Sequence, residues 1–390
     1  MSAALQMTGI TKTFPGIRAL SDVDLAVAGG EVHAIVGENG AGKSTLMKIL
    51  AGVYQPDGGE IRLAGEPVRI NGPIDAGRRG IAMVYQELNL VPDLTVAENI
   101  SLGDVPSRFG IVDRKALRAR AERVLDELDA RVRPDDLVGS LSVSQQQMVE
   151  IAKSYARSPK IIVLDEPTSS LSENEAQSLF RVVARMKEAG IAVIYISHRL
   201  REVTELADQV TVLRDGRLIE TRPAAGISAA DMIRLMVGRD LTEVFPKREV
   251  PIGDTVLEVR GLSRAGEFDD VDLTVRAGEI VGLAGIVGAG RTEVARAVFG
   301  LDRADSGTIE VNGVPVSGHT PRAGRDAGIA YVPEDRKRDG IIPQLTVKDN
   351  VTLASLGSVS TAGWINSAVE RRVAAEKATE LTVSPPVIDR

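Results

Sequence analysis

The fold is decided by one short stretch, Gly37-Glu38-Asn39-Gly40-Ala41-Gly42-Lys43-Ser44-Thr45, which fits the phosphate-binding P-loop pattern G-x-x-x-x-G-K-[ST]. Its glycines allow a tight turn and let the backbone approach phosphate oxygens, because no Cβ stands in the way. The backbone N–H groups of such a loop point inward and hold an anion. Lys43 is predicted to reach the β- and γ-phosphates, and the Ser44 hydroxyl to bind Mg²⁺.

The residues on either side support this prediction. Val32-His33-Ala34-Ile35-Val36 is typical of a buried strand that leads into the loop, and residues 46–50 are typical of a helix that leads out. A phosphate held by the loop would therefore lie at a helix N-terminus. The order strand, loop, helix predicts an α/β fold of the P-loop NTPase class.

Composition limits the class of protein. The chain has 390 residues, 43% hydrophobic and 26% charged, which is typical of two globular domains. It has no cysteine, which excludes disulfides, thiolate metal sites and cysteine nucleophiles. We expect neither a signal peptide nor a membrane span, since no apolar run reaches about 18 residues. A net charge of −7 argues against nucleic acid as the main partner, so we expect any membrane association to come through a partner protein.

Two carboxylates follow a second buried strand. Ile161-Ile162-Val163-Leu164 is a run of core residues, and Asp165-Glu166 stands at its end. Parallel α/β sheets bind ligands at this edge. We expect Asp165 to hold Mg²⁺, directly or through water, and Glu166 to orient or deprotonate an attacking water. The alternative is a pair of solvated acids, which the P-loop in the same chain makes less favoured.

Three single residues are weaker candidates. Gln86 follows a predicted strand at 81–85 and could contact Mg²⁺ or the attacking water, although a surface glutamine is the simpler interpretation. His198 follows a strand at 192–196 and could donate a hydrogen bond to a γ-phosphate, although a lone histidine is more often structural. Phe14 could stack on a base in a chain with only 3% aromatic residues, yet its position alone favours a strand-end phenylalanine.

A further helix start is predicted at Leu141-Ser142-Val143-Ser144-Gln145, ahead of an apolar-periodic helix over 148–155. A serine at this place is an ordinary N-cap. The alternative is a second anion-binding helix terminus. Another helix is predicted over 114–128, with alternating charge on its exposed face.

The second half of the chain repeats the first. Residues 285–292 match the P-loop at a shift of 248 positions, from residue 37 to residue 285. The same shift pairs Asp57 with Asp305, Gly59 with Gly307, Pro67 with Pro315 and Ile81 with Ile329. We therefore predict a duplicated domain, with a complete first copy at 1–240, a linker at 241–254 and a second copy at 255–390.

The second copy is predicted to be chemically weaker. Arg291 replaces Lys43, and the planar guanidinium does not substitute for lysine in a tight phosphate loop. Glu334 replaces Gln86, while Thr292 can still bind a metal. The copy is four residues shorter before its loop, and nothing there corresponds to Phe14. It is also expected to be incomplete, because the counterparts of 141–145, 165–166 and 198 do not occur in the chain.

Together these residues resemble the ATPase subunits of ABC transporters. Residues 37–45 are similar to the Walker A loop, 141–145 to the ABC signature, 164–166 to the end of Walker B and 169–172 to the D-loop. Gln86 resembles the Q-loop glutamine and His198 the switch histidine. All of them follow the family's order. The implied fold is a mixed, largely parallel sheet core with a helical subdomain, duplicated in tandem.

The resemblance narrows to the tandem ATP-binding subunits of bacterial monosaccharide importers, such as those for ribose, galactose and xylose. Three stretches carry it: Val84-Tyr85-Gln86-Glu87-Leu88, Gln147-Met148-Val149-Glu150-Ile151-Ala152-Lys153 and Tyr331-Val332-Pro333-Glu334-Asp335-Arg336-Lys337. Two departures matter. Ser144 stands where the signature LSGGQ has glycine, and Ser172 stands where the D-loop often has aspartate. The resemblance runs over about 5–389 and covers only the first part of such a protein.

The resemblance implies that ATP binds between two ATPase domains, against the Walker A loop of one and the signature of the other. Ser142 and Gln145 are then expected to contact ATP held by a second domain or a second copy of the chain. The remaining roles follow by analogy with the family. Lys43 and His198 stabilise the transferred charge, and Ser44, Gln86 and Asp165 hold Mg²⁺. Glu166 orients or deprotonates the attacking water, and Phe14 stacks on adenine.

The resemblance also implies partners and a location. Transmembrane sugar permease subunits would dock near Gln86, a periplasmic binding protein would deliver the sugar, and the chain would lie at the cytoplasmic face of the inner membrane. Three alternatives remain. A soluble tandem ABC protein acting on ribosomes or nucleic acid would usually have two intact P-loops and a long charged linker. A P-loop kinase or GTPase would lack the signature and His198 in this order. A truncated chain could bind ATP without hydrolysing it.

Overall fold

The computed structural model describes residues 3–86, 88–169, 171–238, 250–285, 288–335, 339–383 and 387–389. The chain divides into two compact units, residues 1–248 and 249–390. Most of the predicted linker at 241–254 lies outside the described residues, and Thr255 begins the first strand of the second unit. Among the described residues, no helix is both long enough and apolar enough to cross a membrane.

The described strands of the first unit are β1 Ala3–Phe14, β2 Ile17–Ala28, β3 Val32–Val36, β4 Gly58–Leu63, β5 Glu66–Val68, β6 Ile81–Val84, β7 Ser107–Arg108, β8 Ile111–Val112, β9 Ile161–Asp165, β10 Ala192–Ile196, β11 Gln209–Arg214 and β12 Arg217–Pro223. Its described helices are α1 Lys43–Leu50, α2 Pro73–Arg78, α3 Val96–Ile100, α4 Arg114–Leu128, α5 Val143–Tyr155, α6 Glu173–Glu188, α7 Leu200–Leu206 and α8 Ala229–Val237.

A six-stranded sheet in the order β12-β11-β3-β10-β9-β6 forms the centre of this unit. All its neighbouring pairs are parallel except β11 with β12. Every residue of β3, β9 and β10 is buried, as expected for parallel strands covered on both faces. The C-terminal ends of β3, β6, β9 and β10 therefore meet at one edge of the sheet. That edge carries the P-loop, Gln86, Asp165 with Glu166, and His198.

An antiparallel sheet in the order β2-β1-β4-β5 packs over α1. Leu5, Met7 and Val23 from this sheet share a core with Leu46 and Leu50 of α1. This packing fixes the position of α1, whose first residue, Lys43, belongs to the P-loop.

The helices α3, α4 and α5 form a separate helical layer with its own share of the core. The helix predicted over 114–128 is confirmed as α4. Asp113 caps its N-terminus by accepting a hydrogen bond from the N–H of Ala116. The prediction that a helix begins at Met148 is wrong. Helix α5 begins at Val143 because Ser142 and Gln145 form a capping box.

The described elements of the second unit are β13 Thr255–Arg264, β14 Phe268–Arg276, β15 Ser306–Val311, β16 Val314–Pro315, β17 Ser360–Thr361 and β18 Trp364–Ile365, with helices α9 Arg291–Phe299, α10 Pro321–Asp326, α11 Val347–Leu353 and α12 Ser367–Glu380. Its four-stranded sheet has the order β14-β13-β15-β16, all antiparallel. This is the arrangement of β2-β1-β4-β5, so the duplication read from the sequence is present in the fold.

Two apolar runs of the second unit do not form strands. Residues 280–284 and 329–333 correspond to β3 and β6, yet Ile280 is 98% exposed and Val332 is 84% exposed. In the first unit β3 pairs with β10 and β11, and β6 pairs with β9. Among the described residues of the second unit no strand pairs with either run, and a lone strand leaves its backbone groups without partners.

Candidate functional site

The P-loop connects the end of β3 to the start of α1. Gly40 and Gly42 have φ of 88° and 100°, in the left-handed region that glycine enters without strain. A Cβ at Gly37 would meet the carbonyl oxygen of Leu213, and one at Gly42 would lie 2.8 Å from the carbonyl oxygen of Ala19. Glycine is therefore required at 37 and 42 by close approach, and at 40 by backbone conformation alone. Of the other loop residues, Ala41 is buried, Thr45 is half-buried, and Glu38, Asn39 and Ser44 are exposed.

Lys43 is the first residue of α1, and its side chain hydrogen bonds to the loop that precedes it. Its Nζ donates hydrogen bonds to the carbonyl oxygens of Gly37 at 2.7 Å and Glu38 at 3.0 Å. The side chain is buried, and burial lowers the pKa of Lys43 against the opposing influence of Glu166 and Asp165. A cation held by neutral carbonyls keeps most of its charge available for an anion such as phosphate.

Asp165 and Ser44 form a second pair beside the lysine. Asp165 is 8% exposed, and the Ser44 hydroxyl hydrogen bonds to its carboxylate. Burial raises the pKa of Asp165 above its ordinary value, and the neighbouring Glu166 raises it further, while Lys43 and Lys48 oppose this. A buried carboxylate that repels its neighbour favours the binding of a cation.

Glu166 joins two of the other predicted residues. One carboxylate oxygen accepts a hydrogen bond from Gln86 Nε2 at 3.1 Å, and the other lies 3.3 Å from His198 Nδ1. Glu166 has a φ of 49°, and its N–H donates to the carbonyl oxygen of Ile196 at the end of β10. The ends of three strands thus bring Gln86, Glu166 and His198 together. Gln86 hydrogen bonds here to Glu166 and not to the Asp165–Ser44 pair.

Phe14 lies at the turn between β1 and β2, near the C-terminal end of α1. Its ring meets Tyr54 edge-on, with centroids 5.1 Å apart and planes at 71°, and Lys12 Nζ lies 5.7 Å from its centroid. Both aromatic side chains are only half-buried. Tyr54 was not singled out by sequence reasoning, since a tyrosine in a turn carries no pattern of its own.

The second unit has a glycine at the place of Phe14. Asp57 accepts a hydrogen bond from the N–H of Thr13, and its counterpart Asp305 accepts one from the N–H of Ala265. Ala265 therefore corresponds to Thr13, and Gly266 follows it. This agrees with the expectation that the second copy has no counterpart of Phe14.

Ser142 and Gln145 hydrogen bond to each other at the N-terminus of α5. The Ser142 hydroxyl also lies 3.0 Å from that of Ser144. Ser144 in turn hydrogen bonds to the carboxylate of Glu175, which caps α6, and this bond is the largest cause of the lowered pKa of Glu175. The ordinary N-cap interpretation of Ser142 is therefore correct within one chain, and these residues form no hydrogen bond with the P-loop of the same unit.

The loop of the second unit keeps part of this geometry. Gly288 and Gly290 have positive φ, as Gly40 and Gly42 do. The Thr292 hydroxyl lies 3.5 Å from the carboxylate of Glu334, the counterpart of Gln86. Residues 286–287 lie outside the described residues, as do Glu87, Ser170, Arg336 and Lys337 of the stretches quoted above.

Sequence reasoning also missed a buried acid. Glu202 of α7 is 7% exposed and accepts hydrogen bonds from Thr168, Tyr195 and Ser197. A glutamate four residues after His198 has no distinguishing pattern, because its partners come from two other segments of the chain, at Thr168 and at 195–197.

Comparison with known proteins finds a matching family model and similar sequences. The family model described as ABC transporter matches residues 20–169 and 268–384. The putative ribose/galactose/methyl galactoside import ATP-binding protein 3 of Agrobacterium fabrum is 55% identical over 389 residues, which are 100% of this chain and 78% of that protein. The ribose import ATP-binding protein RbsA 1 of Rubrobacter xylanophilus is 54% identical over 91% of this chain and 71% of its own length.

Solved structures show the same likeness. A nucleotide-free ATP-binding cassette from an ABC transporter superposes with a TM-score of 0.55 at 26% identity, over 63% of this chain and 100% of its own. A cassette in a dimeric, post-hydrolysis state bound to ADP and Pi gives a TM-score of 0.51 at 27% identity, over 57% of this chain and 100% of its own.

Proposed function

The chain belongs to the ABC transporter family, and on that premise we propose that it is the ATP-hydrolysing subunit that energises a bacterial monosaccharide importer. The observation that carries the proposal is the convergence of Gln86 and His198 on the two oxygens of Glu166, at the sheet edge that also carries the P-loop. Its relatives are described as ribose or ribose/galactose import proteins, which supports the substrate class.

We propose the following actions for the residues of the site. Glu166 accepts a proton from the water that attacks the γ-phosphorus, and the bond to the β-phosphate oxygen breaks as ADP leaves. Gln86 and His198 hold the Glu166 carboxylate, and His198 also donates to the γ-phosphate. Lys43 exchanges its two carbonyl partners for phosphate oxygens. Phe14 stacks against adenine with Tyr54 behind it.

The residues around Asp165 fit Mg²⁺. A buried carboxylate with a raised pKa, bonded to a serine hydroxyl, offers the hard oxygen donors that this ion prefers. Asp165 and Ser44 would hold the ion, with Gln86 as a third donor after it leaves Glu166. Bound Mg²⁺ neutralises charge on the phosphates, and Asp165 gains a partner for its buried negative charge.

We propose that a permease docks in a cavity of about 270 Å³ beside Gln86. The cavity is lined by Met83, Tyr85 and Asn89 on one side and by Glu150 and Lys153 of α5 on the other. A cytosolic helix of the permease that inserts a side chain into this cavity would touch both the segment that carries Gln86 and helix α5, which Ser142 caps. ATP-driven movement of these elements would thereby reach the membrane. We propose accordingly that the chain acts at the cytoplasmic face of the inner membrane, and that a binding protein delivers the sugar from outside.

We propose that the signature residues 141–145 act outside their own unit. Ser142 and Gln145 hydrogen bond to each other and not to the P-loop of their own unit. We propose that they contact ATP bound by a second ATPase domain or by a second copy of the chain. The dimeric form of one structural neighbour supports such pairing.

The test is ATP hydrolysis by the purified chain over a wide range of protein concentration, with Glu166→Gln as the control for contaminating ATPase. We expect activity per chain to rise with concentration and to disappear in the control. Addition of permease in lipid vesicles should then raise the rate. ATP binding without Glu166-dependent hydrolysis at any concentration would instead identify a binding module and overturn the catalytic proposal.

A further inference from the structure

A buried carboxylate links the two loops that carry Glu166 and His198. Glu202 accepts hydrogen bonds at one oxygen, Oε2, from the hydroxyls of Thr168 at 2.7 Å, Tyr195 at 2.9 Å and Ser197 at 3.0 Å. Its other oxygen lies 3.4 Å from Arg199 Nη1. Removing a carboxylate from water is costly unless it is fully hydrogen bonded, so this arrangement restrains every donor that satisfies it.

The donors come from the two segments that matter for hydrolysis. Thr168 lies two residues after Glu166, and Ser197 immediately precedes His198. Both side chains are almost fully buried. The third donor, Tyr195, lies within β10 and is fixed there by pairing with β3 and β9. Burial and the neighbouring Glu202 raise the pKa of Tyr195 well above its ordinary value, so its hydroxyl stays protonated and donates.

The restraint is needed because the catalytic contact is sensitive to small displacements. His198 Nδ1 lies 3.3 Å from Glu166, and the His198 side chain is 56% exposed, so packing does little to hold the imidazole. Glu166 itself has a backbone φ of 49°, which a glutamate rarely adopts. A bridge from Thr168 to Ser197 through one buried oxygen fixes the distance between the two loops.

We propose that Glu202 is a positioning residue that holds His198 against Glu166 by tying Ser197 and Thr168 to a single carboxylate oxygen. This rests on the proposed function for its effect on hydrolysis. The position that the proposal predicts for His198 does not depend on any activity.

The first test uses three variants that each remove one donor. Ser197→Ala and Thr168→Val each cut one arm of the bridge, whereas Tyr195→Phe removes a donor that holds neither loop. We expect the first two to lower kcat at least tenfold with the ATP Kd unchanged within twofold, and Tyr195→Phe to leave kcat within twofold. Thermal denaturation of all three gives the stability lost with each donor. If Tyr195→Phe lowers kcat as much as the others, or if kcat follows stability across the set, Glu202 has only a structural role.

The second test separates this inference from the proposed function. The chain has three histidines, so spectra of the protein with ¹³C-labelled histidine give few signals, and His198→Gln identifies the one of interest. Glu166→Gln is expected to shift the His198 signal. Ser197→Ala and Thr168→Val should move it in the same direction, and Tyr195→Phe should not. An unmoved signal in both loop variants overturns the positioning role even if hydrolysis is normal. Absence of Glu166-dependent hydrolysis with the expected shifts would reject the function and leave the geometry supported.

Discussion

Substitution of Gly42 by alanine tests whether close approach, as well as backbone conformation, requires glycine in the P-loop. Gly42 has a φ of 100°, and a Cβ there would lie 2.7 Å from Leu20 Cδ2 and 2.8 Å from the carbonyl oxygen of Ala19. The chain contains a matched control. Gly40 has a similar φ of 88°, but a Cβ there would have no heavy atom within 4 Å. The two variants share the conformational cost and differ in the clash.

The magnitude follows from these two contributions. Holding alanine in the left-handed region costs about 1–2 kcal/mol. Overpacking against Leu20 and the backbone of Ala19 adds about 1–3 kcal/mol at Gly42. We therefore expect Gly42→Ala to lower the free energy of unfolding by about 2–5 kcal/mol and Gly40→Ala by about 1–2 kcal/mol.

The assay is hydrogen exchange read on peptides that cover β3 and α1, because it reports the stability of these elements directly. Affinity for ATP is measured alongside, since Gly42 precedes Lys43 and Ser44 and its displacement moves both. A loss of stability for Gly42→Ala no larger than that for Gly40→Ala would refute the reasoning. It would mean that the loop relaxes around the added methyl and that only the backbone angle matters.

Three further outcomes are expected. Asp165→Asn should raise the free energy of unfolding at neutral pH, because the raised pKa of Asp165 means that its negative charge costs stability. In urea unfolding measured over pH, this gain should vanish as the pH falls from the raised pKa to the ordinary pKa of 3.8. A gain that persists below pH 3.8 would show that the charge is not its cause. Phe14→Leu should weaken ATP binding at least fivefold in fluorescence titrations while Phe299→Leu, in the second unit, changes it little, and equal effects would argue against stacking at Phe14. Equilibrium dialysis should find one ATP per chain and none after Lys43→Ala; retained binding in that variant would assign it to the second loop.

The first unit could be predicted in most of its central features because they are local. The strand 32–36, the P-loop and the helix behind it are contiguous, and each adjoins the next in the structure. Asp165 and Glu166 were found in the same way, from a buried strand followed by two acids. The α/β fold of this class is confirmed by its sheet and its structural neighbours. The functional roles of these residues stay predictions, since geometry alone does not measure them.

Contacts between distant segments could not be predicted. Tyr54 meets Phe14 from 40 positions away, and Thr168 reaches Glu202 from 34 positions away. Neither partner has a pattern, because each is a single residue placed by the packing of a whole sheet or helix. The early start of α5 was missed for a different reason, because Ser142 and Gln145 are only three positions apart and fit the capping-box pattern. The reciprocal bonds of Ser142 and Gln145 outweigh the polar character of the residues that follow.

The duplication makes the chain its own comparison. The two units place β1 and β13, and the loops before α1 and α9, in the same order, so residues at matching positions around the two loops can be compared directly. At the three places where the first unit has Lys43, Phe14 and Gln86, the second has Arg291, Gly266 and Glu334. Arg291 changes the cation expected at the phosphates, Gly266 removes the ring expected at the base, and Glu334 adds negative charge in place of a neutral amide. We expect each of these three changes to weaken nucleotide hydrolysis by a different physical effect, so restoring lysine at 291 alone should not produce a second working site. Arg291→Lys in a Lys43→Ala background is expected to remain inactive in the ATPase assay, and recovery of hydrolysis there would show that the loop cation by itself separates the two units.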